Sequence, residues 1–576
     1  MKATIKKTVA LLLMLCVVMG LMSGCIIEQQ DDNFTIVDVN TDIPIGPVPD
    51  HDWQEITITV MGAQGSTNDW NNTHVVKSMK EMFGITMKCT PYSSDDWSTK
   101  LTLIKTDNDL PDLLLCSGIS VTSAGFDGSK GYYYLNFMDY IAYMPNLAKF
   151  LNEHPDYRKY VTAADGGIYG LPQYTESVMG SFPRNFINTS WLDNLGLEMP
   201  NTVDELYEVL RAFKEQDAND NGDPNDEIPM MWANYNRTPE HTLLPAFGIV
   251  PQSATANTYY MMQADENGKV YLADTTDNYR AYLQYMNKLW EEELIYHESY
   301  TTEIKVQREW TKADKVGVFS DSAGWVAHGE GEASDDYYYK AFHALTSDYN
   351  SDPVVPLTSG VNNRCWFVVS RDTEHPEEIC RMIDYFFTEE GARFGQEGDL
   401  SAYATYKNYE VPGLEEYKGW FHFDSKPKGY DSWETYRHQY QTINNAFNVR
   451  SMKGEIDDAI MNLSIEQLDT IIDAKVKGFA LHGVQLAKRM KETGAEFVTG
   501  FPNLIFSEAE GIELASYQND INSYCQTQKA LFITGELDIN DDEEWHNFVD
   551  SINRMGLERL LEITQKAYDR MYGNKN

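Results

Sequence analysis

Runs of hydrophobicity long enough to cross a bilayer are missing from this sequence. The apolar stretch at its start, Val9 to Met22, falls short of the ~20 residues a helix needs to traverse ~30 Å of hydrocarbon. Basic residues are scarce: 46 Lys and Arg face 88 Asp and Glu, and the formal charge of −42 makes nucleic acid and anionic lipid poor partners. Such a charge is the ordinary mark of a self-repelling surface that keeps an exposed protein soluble. Cysteine offers no framework. Beyond Cys16 and Cys25 there remain Cys89, Cys116, Cys365, Cys380 and Cys525, odd in number and irregular in spacing, so neither a disulfide scaffold nor a zinc site follows. Cys89, Cys116 and Cys365 lie in apolar runs and read as small buried hydrophobes, with one opportunistic bridge left open. The chain has no Gly-x-Ser-x-Gly elbow, His-Glu-x-x-His, Walker A loop or dinucleotide Gly-x-Gly-x-x-Gly, and its 12 His are scattered. Pairs of carboxylates abound, but abundance carries no information about their separation in space. These absences point away from an enzyme.

What is present begins at the N-terminus. Lys2, Lys6 and Lys7 precede the apolar run, and Ser23-Gly24-Cys25 follows it. A basic segment, a short apolar core and small residues form a secretory signal over residues 1–24. Ser23-Gly24-Cys25 also resembles a bacterial lipobox, with Met22 where Leu is usual. Cys25 is then the new N-terminus, carrying diacylglycerol and palmitate-type acyl chains, and the protein is extracytoplasmic, anchored to the cell membrane by lipid. The alternative is a plain secretory signal with a cysteine at its edge. Loss of the three lysines takes the formal charge from −42 to about −45.

Length sets the next bound. A chain of 576 residues exceeds what one core serves, so two lobes or more are expected, and 42% apolar with 12% aromatic content is enough to fill them. Residues 25–53, with Gln-Gln-Asp-Asp and scattered Pro and Gly, read as a flexible tether. Ile56, Ile58 and Val60 then alternate as a strand, Gly62-Ala63-Gln64-Gly65-Ser66 makes a loop, Val75 to Phe83 forms a helical stripe closed by Gly84, Ile85 to Thr90 a second strand, Asp95-Asp96-Trp97 opens a helix, and Leu110-Pro111-Asp112-Leu113-Leu114-Leu115 is a third strand. This βαβαβ order predicts a mostly parallel sheet whose strand C-termini form the ligand edge. Thr202 and Glu205 resemble a capping box opening a long amphipathic helix; Lys315–Phe319 and Cys365–Val369 read as buried strands, and the region after Ile379 as helices.

One loop carries a chemical pattern. Residues Asp217 to Glu227 alternate oxygen-bearing side chains around Gly222 and end on an acidic pair, which suits a hard cation such as calcium; the competing reading is a solvated Asx-rich turn. Relative to an EF-hand, Glu227 falls one position early and Ile228 takes the last place. If calcium binds, its role is structural. The 12 Trp and 36 Tyr supply the apolar platforms that sugar rings require, although most must fill core or surface.

Several blocks in order resemble the extracellular solute-binding proteins of ABC importers, family 1, in the lipoprotein subgroup serving oligosaccharide uptake. They are Asp96-Trp97 to Asp112-Leu113, Asp165-Gly166-Gly167-Ile168-Tyr169-Gly170-Leu171-Pro172, Phe186-Ile187-Asn188 to Leu197, the helix from Thr202 with its polar loop, and Tyr385-Phe386-Phe387 to Gly391. The resemblance implies an α/β, two-lobed periplasmic-binding-protein-like fold with a central cleft and hinge. We expect an N-lobe from 54–165 with 311–375, a C-lobe from 166–310 with 376–576, and a first crossing near Gly166 to Pro172. It implies calcium held by the side chains of Asp217, Asn219, Asn221, Asp226 and Glu227 and the carbonyl of Asp223. Position after strands or within these blocks nominates Gln64, Ser117, Gln173, Tyr174, Trp232, Trp325, Asn362 and Trp366 as sugar contacts. The function so implied is capture of a carbohydrate, an oligosaccharide, by a monomer that closes on it and delivers it to ABC permease subunits. A surface glycan-degrading enzyme and a non-transport carbohydrate sensor or adhesin are the alternatives.

Overall fold

The N-terminal strands pair as their alternation predicts. In the computed structural model, which describes residues 39, 41–64, 69–175, 185–233, 239–252, 261–321, 324, 339–342, 344–357, 360–397, 450–451, 459–473 and 479–573, two sheets organise the chain. Their strands are β1 (Ile56–Gln64), β2 (Ile85–Ser93), β3 (Leu113–Leu115), β4 (Leu171–Thr175), β5 (Asn185–Asn188), β6 (Ile228–Met230), β7 (Val316–Ser320), β8 (Tyr339–Ala341) and β9 (Val361–Val369). The larger sheet runs Arg450–Ser451, β4, β9, β3, β1, β2, and the smaller one β8, β5, β7, β6. β1 lies parallel to both β2 and β3, while β9 enters antiparallel between β3 and β4. Ile58, Val60, Leu113, Leu114, Leu115, Phe367 and Val368 are fully buried, as central strands covered on both faces require. β1 and β3 approach so closely at Gly62 that a Cβ there would stand 1.9 Å from the Leu115 carbonyl oxygen, so only glycine fits.

Local signals set the helix ends. His74–Phe83 stops at Gly84, whose φ of 72° is the left-handed cap glycine adopts without strain. The helix Val203–Glu215 starts with the Thr202 hydroxyl accepting from Glu205 N at 3.0 Å, but the returning carboxylate accepts from Asn201 N at 2.7 Å, one residue before the cap. Thr202 is instead drawn into a bridge with Thr346.

The expected division of lobes requires correction. β4 belongs to the larger sheet because Leu171 is fully buried against Phe367, so 166–172 is no crossing between sheets; the chain changes sheet between Thr175 and Asn185. β7 and β8, expected in the N-lobe, pair with β5 in the smaller sheet, and β9 brings the chain back. The helix Pro376–Tyr385, expected in the C-lobe, packs on the first: Asp384 accepts from Leu147 N at 2.8 Å and Asn146 Nδ2 at 2.7 Å. Sheet membership is decided by long-range pairing, which periodicity does not report.

The C-terminal helices join the two bodies. Glu508–Thr534 packs along Asp277–Glu291. Leu557–Tyr572 is held at its middle by Gln565, which accepts from Val270 N at 2.7 Å and donates to Gly268 O at 2.9 Å. At its C-terminal end Lys159 of the first lobe donates to Met571 O and stands over the Tyr572 ring.

The tether also differs from expectation where it is described. Ile43 is buried, and Asn152 clasps both its backbone groups, accepting from Ile43 N at 2.8 Å and donating to Ile43 O at 3.0 Å. Arg158 donates to Thr41 O, His51 meets Glu378 at 3.0 Å, and Arg381 lies over Trp53 at 4.4 Å. Pro and Gly made 41–53 read as loose, but an isolated apolar residue with a two-point polar clasp docks it on the first lobe. Asn152→Ala should cost about 1–3 kcal/mol by orphaning those groups and should raise amide exchange selectively around Ile43 in hydrogen-exchange mass spectrometry.

Candidate functional site

β1 and β3 end on one margin of the larger sheet, and the chain builds a surface just beyond them. Past Leu115 the pairing with β9 continues through loop residues: Cys116 N donates to Trp366 O at 2.9 Å, Cys365 N to Ile119 O at 2.8 Å, and Ser120 bridges Arg364. β4 lies on the other side of β9, with Pro172 opposite Cys365 and Tyr174 opposite Val361. The pairing shifts twice, between Val361 and Cys365 and again between Cys365 and Phe367, so Asn362 to Arg364 and Trp366 fall at bulges. Bulges turn side chains out of the regular pleat, a common device beside binding sites.

This margin gathers most of the residues nominated from sequence. Gln64 closes β1 opposite Ser93. Gln173, Tyr174, Asn362 and Trp366 stand half-buried on β4 and β9. Tyr174 packs among Phe150, His154 and Tyr157, with ring centroids 4.7–5.6 Å away, and Asn362 Oδ1 accepts from Arg364 N at 3.0 Å. Two nominations are corrected. Ser117 is fully buried; its hydroxyl donates to Cys365 O at 3.1 Å and accepts from Ile119 N at 3.2 Å, while its carbonyl takes the Trp97 indole N–H at 2.6 Å. It pins the margin from behind. Trp232, just past β6 in the smaller sheet, is 3% exposed, with Tyr300 edge-on at 5.4 Å; it is core. Trp325 lies outside the described residues. Sequence reasoning missed Tyr92, half-buried at the end of β2 beside Ala63 and 5.9 Å from Trp97. An aromatic at a strand C-terminus just before the Ser93 cap was the available signal.

The acidic loop sits between the helix Val203–Glu215 and β6. Asn221 N donates to Asp217 Oδ1 at 3.0 Å and Asn219 Oδ1 at 3.1 Å, and Gly222 N to Asp217 Oδ2 at 2.8 Å. Asp226 Oδ1 accepts from the Asn219 and Asn221 amides at 3.2 and 3.1 Å. Asp217, Asn219, Asn221 and Asp226 therefore close one hydrogen-bonded ring, whereas the Asp223 carboxylate points to Asn225. Lys315 is 3.0 Å from Asp226 Oδ2 and holds that carboxyl below its usual range. Burial pushes Glu227 upward; its Oε1 accepts from Ala218 N, and its Oε2 is a buried oxygen with no hydrogen-bond partner. Clustered oxygens and one orphaned carboxylate oxygen fit a calcium ion. Among the described residues no group of three or more His, Cys, Asp or Glu stands in metal-holding geometry. Amide and carbonyl oxygens must supply part of any coordination.

The sequence profile of the bacterial extracellular solute-binding proteins matches residues 76–393, spanning both sheets. The chain belongs to that family. It is 26% identical over 535 residues, 89% of each chain, to the fructooligosaccharide ABC transporter substrate-binding protein FusA of Streptococcus pneumoniae serotype 4. Its fold matches the structure of S. pneumoniae FusA in complex with kestose, with TM-score 0.67 and 24% identity, covering 90% of this chain and 100% of that one. An EF-hand mutant of FusA in complex with fructo-nystose gives TM-score 0.68 at 23% identity, with the same coverage. The two sheets of this solute-binding protein are accordingly the two lobes of that fold, and the family places it outside the cytoplasm. No helix among the described residues is long and apolar enough to cross a membrane.

Proposed function

We propose that this solute-binding protein captures an oligosaccharide at the margin beyond β1 and β3, closes its lobes on it, and hands it to the permease of an ABC importer without altering a covalent bond. The observation that carries the reading is the convergence of Gln64, Gln173, Asn362, Trp366 and Tyr92 on one strand-end margin. Amides paired with aromatic faces match a sugar's polar edge and apolar ring face. The relative that covers 89% of this chain bears the name of a fructooligosaccharide binder, which makes short fructans the first ligands to try. Closure follows from differential affinity: the sugar shifts the population only if it touches both lobes. A lipidated Cys25 tethers the monomer to the membrane, and the docked segment 41–53 fixes where the tether leaves the first lobe. In the acidic loop, Asp217, Asn219, Asn221, Asp226 and Glu227 hold calcium through side chains, and Asp223 through its carbonyl. Bound calcium would supply positive charge that offsets the clustered carboxylates and pins the loop.

The test is calorimetric titration with kestose, nystose and a panel of other oligosaccharides. We expect saturable binding to at least one of them and no shorter sugars released on incubation. Trp366→Ala should weaken it about tenfold to a hundredfold, the loss of one stacking aromatic worth about 1–3 kcal/mol. A folded protein that gives no heat with any saccharide would overturn the reading, and so would the release of shorter sugars.

A further inference from the structure

The margin beyond β1 and β3 lies on the first lobe, and closure needs a counterpart on the second. The topology shows which end of the smaller sheet supplies it. The end of β4 and the approach to β9 lie side by side, Thr175 N donating to Gly360 O at 2.7 Å. From Thr175 the chain reaches Asn185, the first residue of β5, in ten steps, at most about 35 Å. The return is shorter: Leu357 ends a strand packed against Leu244–Phe247 of the second lobe and stands four residues before Val361. Asn185 pairs with Ser320 at the end of β7 and donates to Thr242 Oγ1 at 2.6 Å, while Met231, just past β6, donates its N–H to Val318 O. The carboxyl ends of β6 and β7, which run parallel, therefore lie at the sheet end that the crossing chain enters. Carboxyl ends of parallel strands are where α/β sheets hold ligands, here as at β1 and β3.

A charged pair is built at that end. Asp321, the residue after β7, has no exposure, and Arg308 forks onto its carboxylate, Nε donating to Oδ2 at 2.8 Å and Nη2 to Oδ1 at 2.9 Å. Arg308 belongs to the helix Ile304–Lys312, which leads into β7, and its side chain stays 36% exposed. Beneath the fork, fully buried Gln307 donates to Ser320 O at 2.9 Å, and the Ser320 hydroxyl donates to Asn185 Oδ1, so helix, β7 and β5 are locked together. Burying a carboxylate carries a desolvation penalty that apolar side chains would avoid, so stability alone is a poor account of the fork. What it provides is a guanidinium fixed in plane and direction. We propose that Arg308, aimed by Asp321, is the second lobe's contact with the sugar and selects uncharged oligosaccharides over uronates. A guanidinium carries five N–H donors, the fork engages two, and sugar hydroxyls accept such bonds. Asp321 already matches its charge, so a uronate carboxylate would meet repulsion from Asp321 along with attraction to Arg308. The inference rests on the oligosaccharide-binding reading and names the class of sugar.

The test is calorimetric titration of the full mature chain with the neutral probes kestose, nystose and maltotriose and the anionic probe trigalacturonate. The parent should bind at least one neutral probe about tenfold or more tighter than trigalacturonate. Arg308→Gln combined with Asp321→Asn removes both charges at nearly constant volume. The double variant should melt within about 3 °C of the parent yet lose about tenfold to a hundredfold in affinity for that neutral probe. Asp321→Asn alone leaves the guanidinium unmatched and should move the preference about tenfold towards trigalacturonate, a change of selectivity that a merely structural pair would not produce. A folded double variant that binds as the parent does, an unmoved preference in Asp321→Asn, or a parent that prefers trigalacturonate would each overturn this inference and leave the oligosaccharide reading standing. A parent that binds no saccharide at all overturns that reading, and this inference with it.

Discussion

Chelating calcium with EGTA should lower the melting temperature of the protein by several degrees, and restoring excess calcium should recover it. The acidic loop links Asp217 and Asp226 through Asn221 and holds Glu227 on Ala218 N, so its acidic and amide oxygens cluster along one short stretch of chain. Lys315 is the ammonium paired with Asp226 there, and Glu227 keeps a buried oxygen without a partner. An ion that binds the folded loop alone adds RT ln(1 + [Ca]/Kd), about 4 kcal/mol at a thousandfold excess over Kd. The effect should reach beyond the loop. Asn219 Nδ2 donates to Asp314 O at 3.2 Å, and Asp314 Oδ1 in turn accepts from Asn188 Nδ2 at 2.8 Å and the Trp191 indole at 3.1 Å. Metal release therefore loosens the approach to β7 and the start of the helix Thr189–Leu195 as well. Asp217→Ala should melt like the EGTA-treated parent and be insensitive to EGTA; differential scanning calorimetry with and without chelator checks both. An unmoved melting curve would return the loop to a solvated Asx-rich turn.

Lys529→Met should destabilise the protein by about 3–5 kcal/mol, because it strands the Glu240 carboxylate in a site from which water is excluded. The long methionine side chain fills the space, so the loss is electrostatic. That gives a sharp internal control: Glu240→Gln added to Lys529→Met removes the unpaired charge and should recover most of the stability, a coupling readable by urea unfolding of the two single variants and the double. Because Glu508–Thr534 packs on Asp277–Glu291 through this region, the single variant should also raise hydrogen exchange along Glu508–Thr534 before global unfolding.

The readable parts of the sequence were those with local causes. Apolar pattern gave the places of β1, β2 and β3, and Gly84 and Thr202 gave helix ends, whereas β1 runs on through Gly62 to Gln64, where a loop is expected, and β3 starts only at Leu113, past Pro111. The ligand margin was legible in outline because strands that run parallel end on the same side, so residues just past them share an edge whatever lies between. What misled was chemistry read without burial. Ser117 follows a strand as a binding serine would, yet its hydroxyl is consumed by Cys365 and Ile119. Trp232 follows the acidic loop, yet its ring is core.

By itself the sequence determined the α/β character, the parallel N-terminal strands and the oxygen-rich loop, since each depends on residues close together in the chain, and the order of its blocks determined the family. Only tertiary structure decided that β4 completes the first sheet while β7 and β8 build the second, that segment 41–53 is docked, and that the last helix grips both lobes. It also brought Glu240 against Lys529, more than two hundred residues away in the chain. Such pairings rest on which apolar faces cover which and on where a buried charge finds its partner, and neither leaves a period in the sequence.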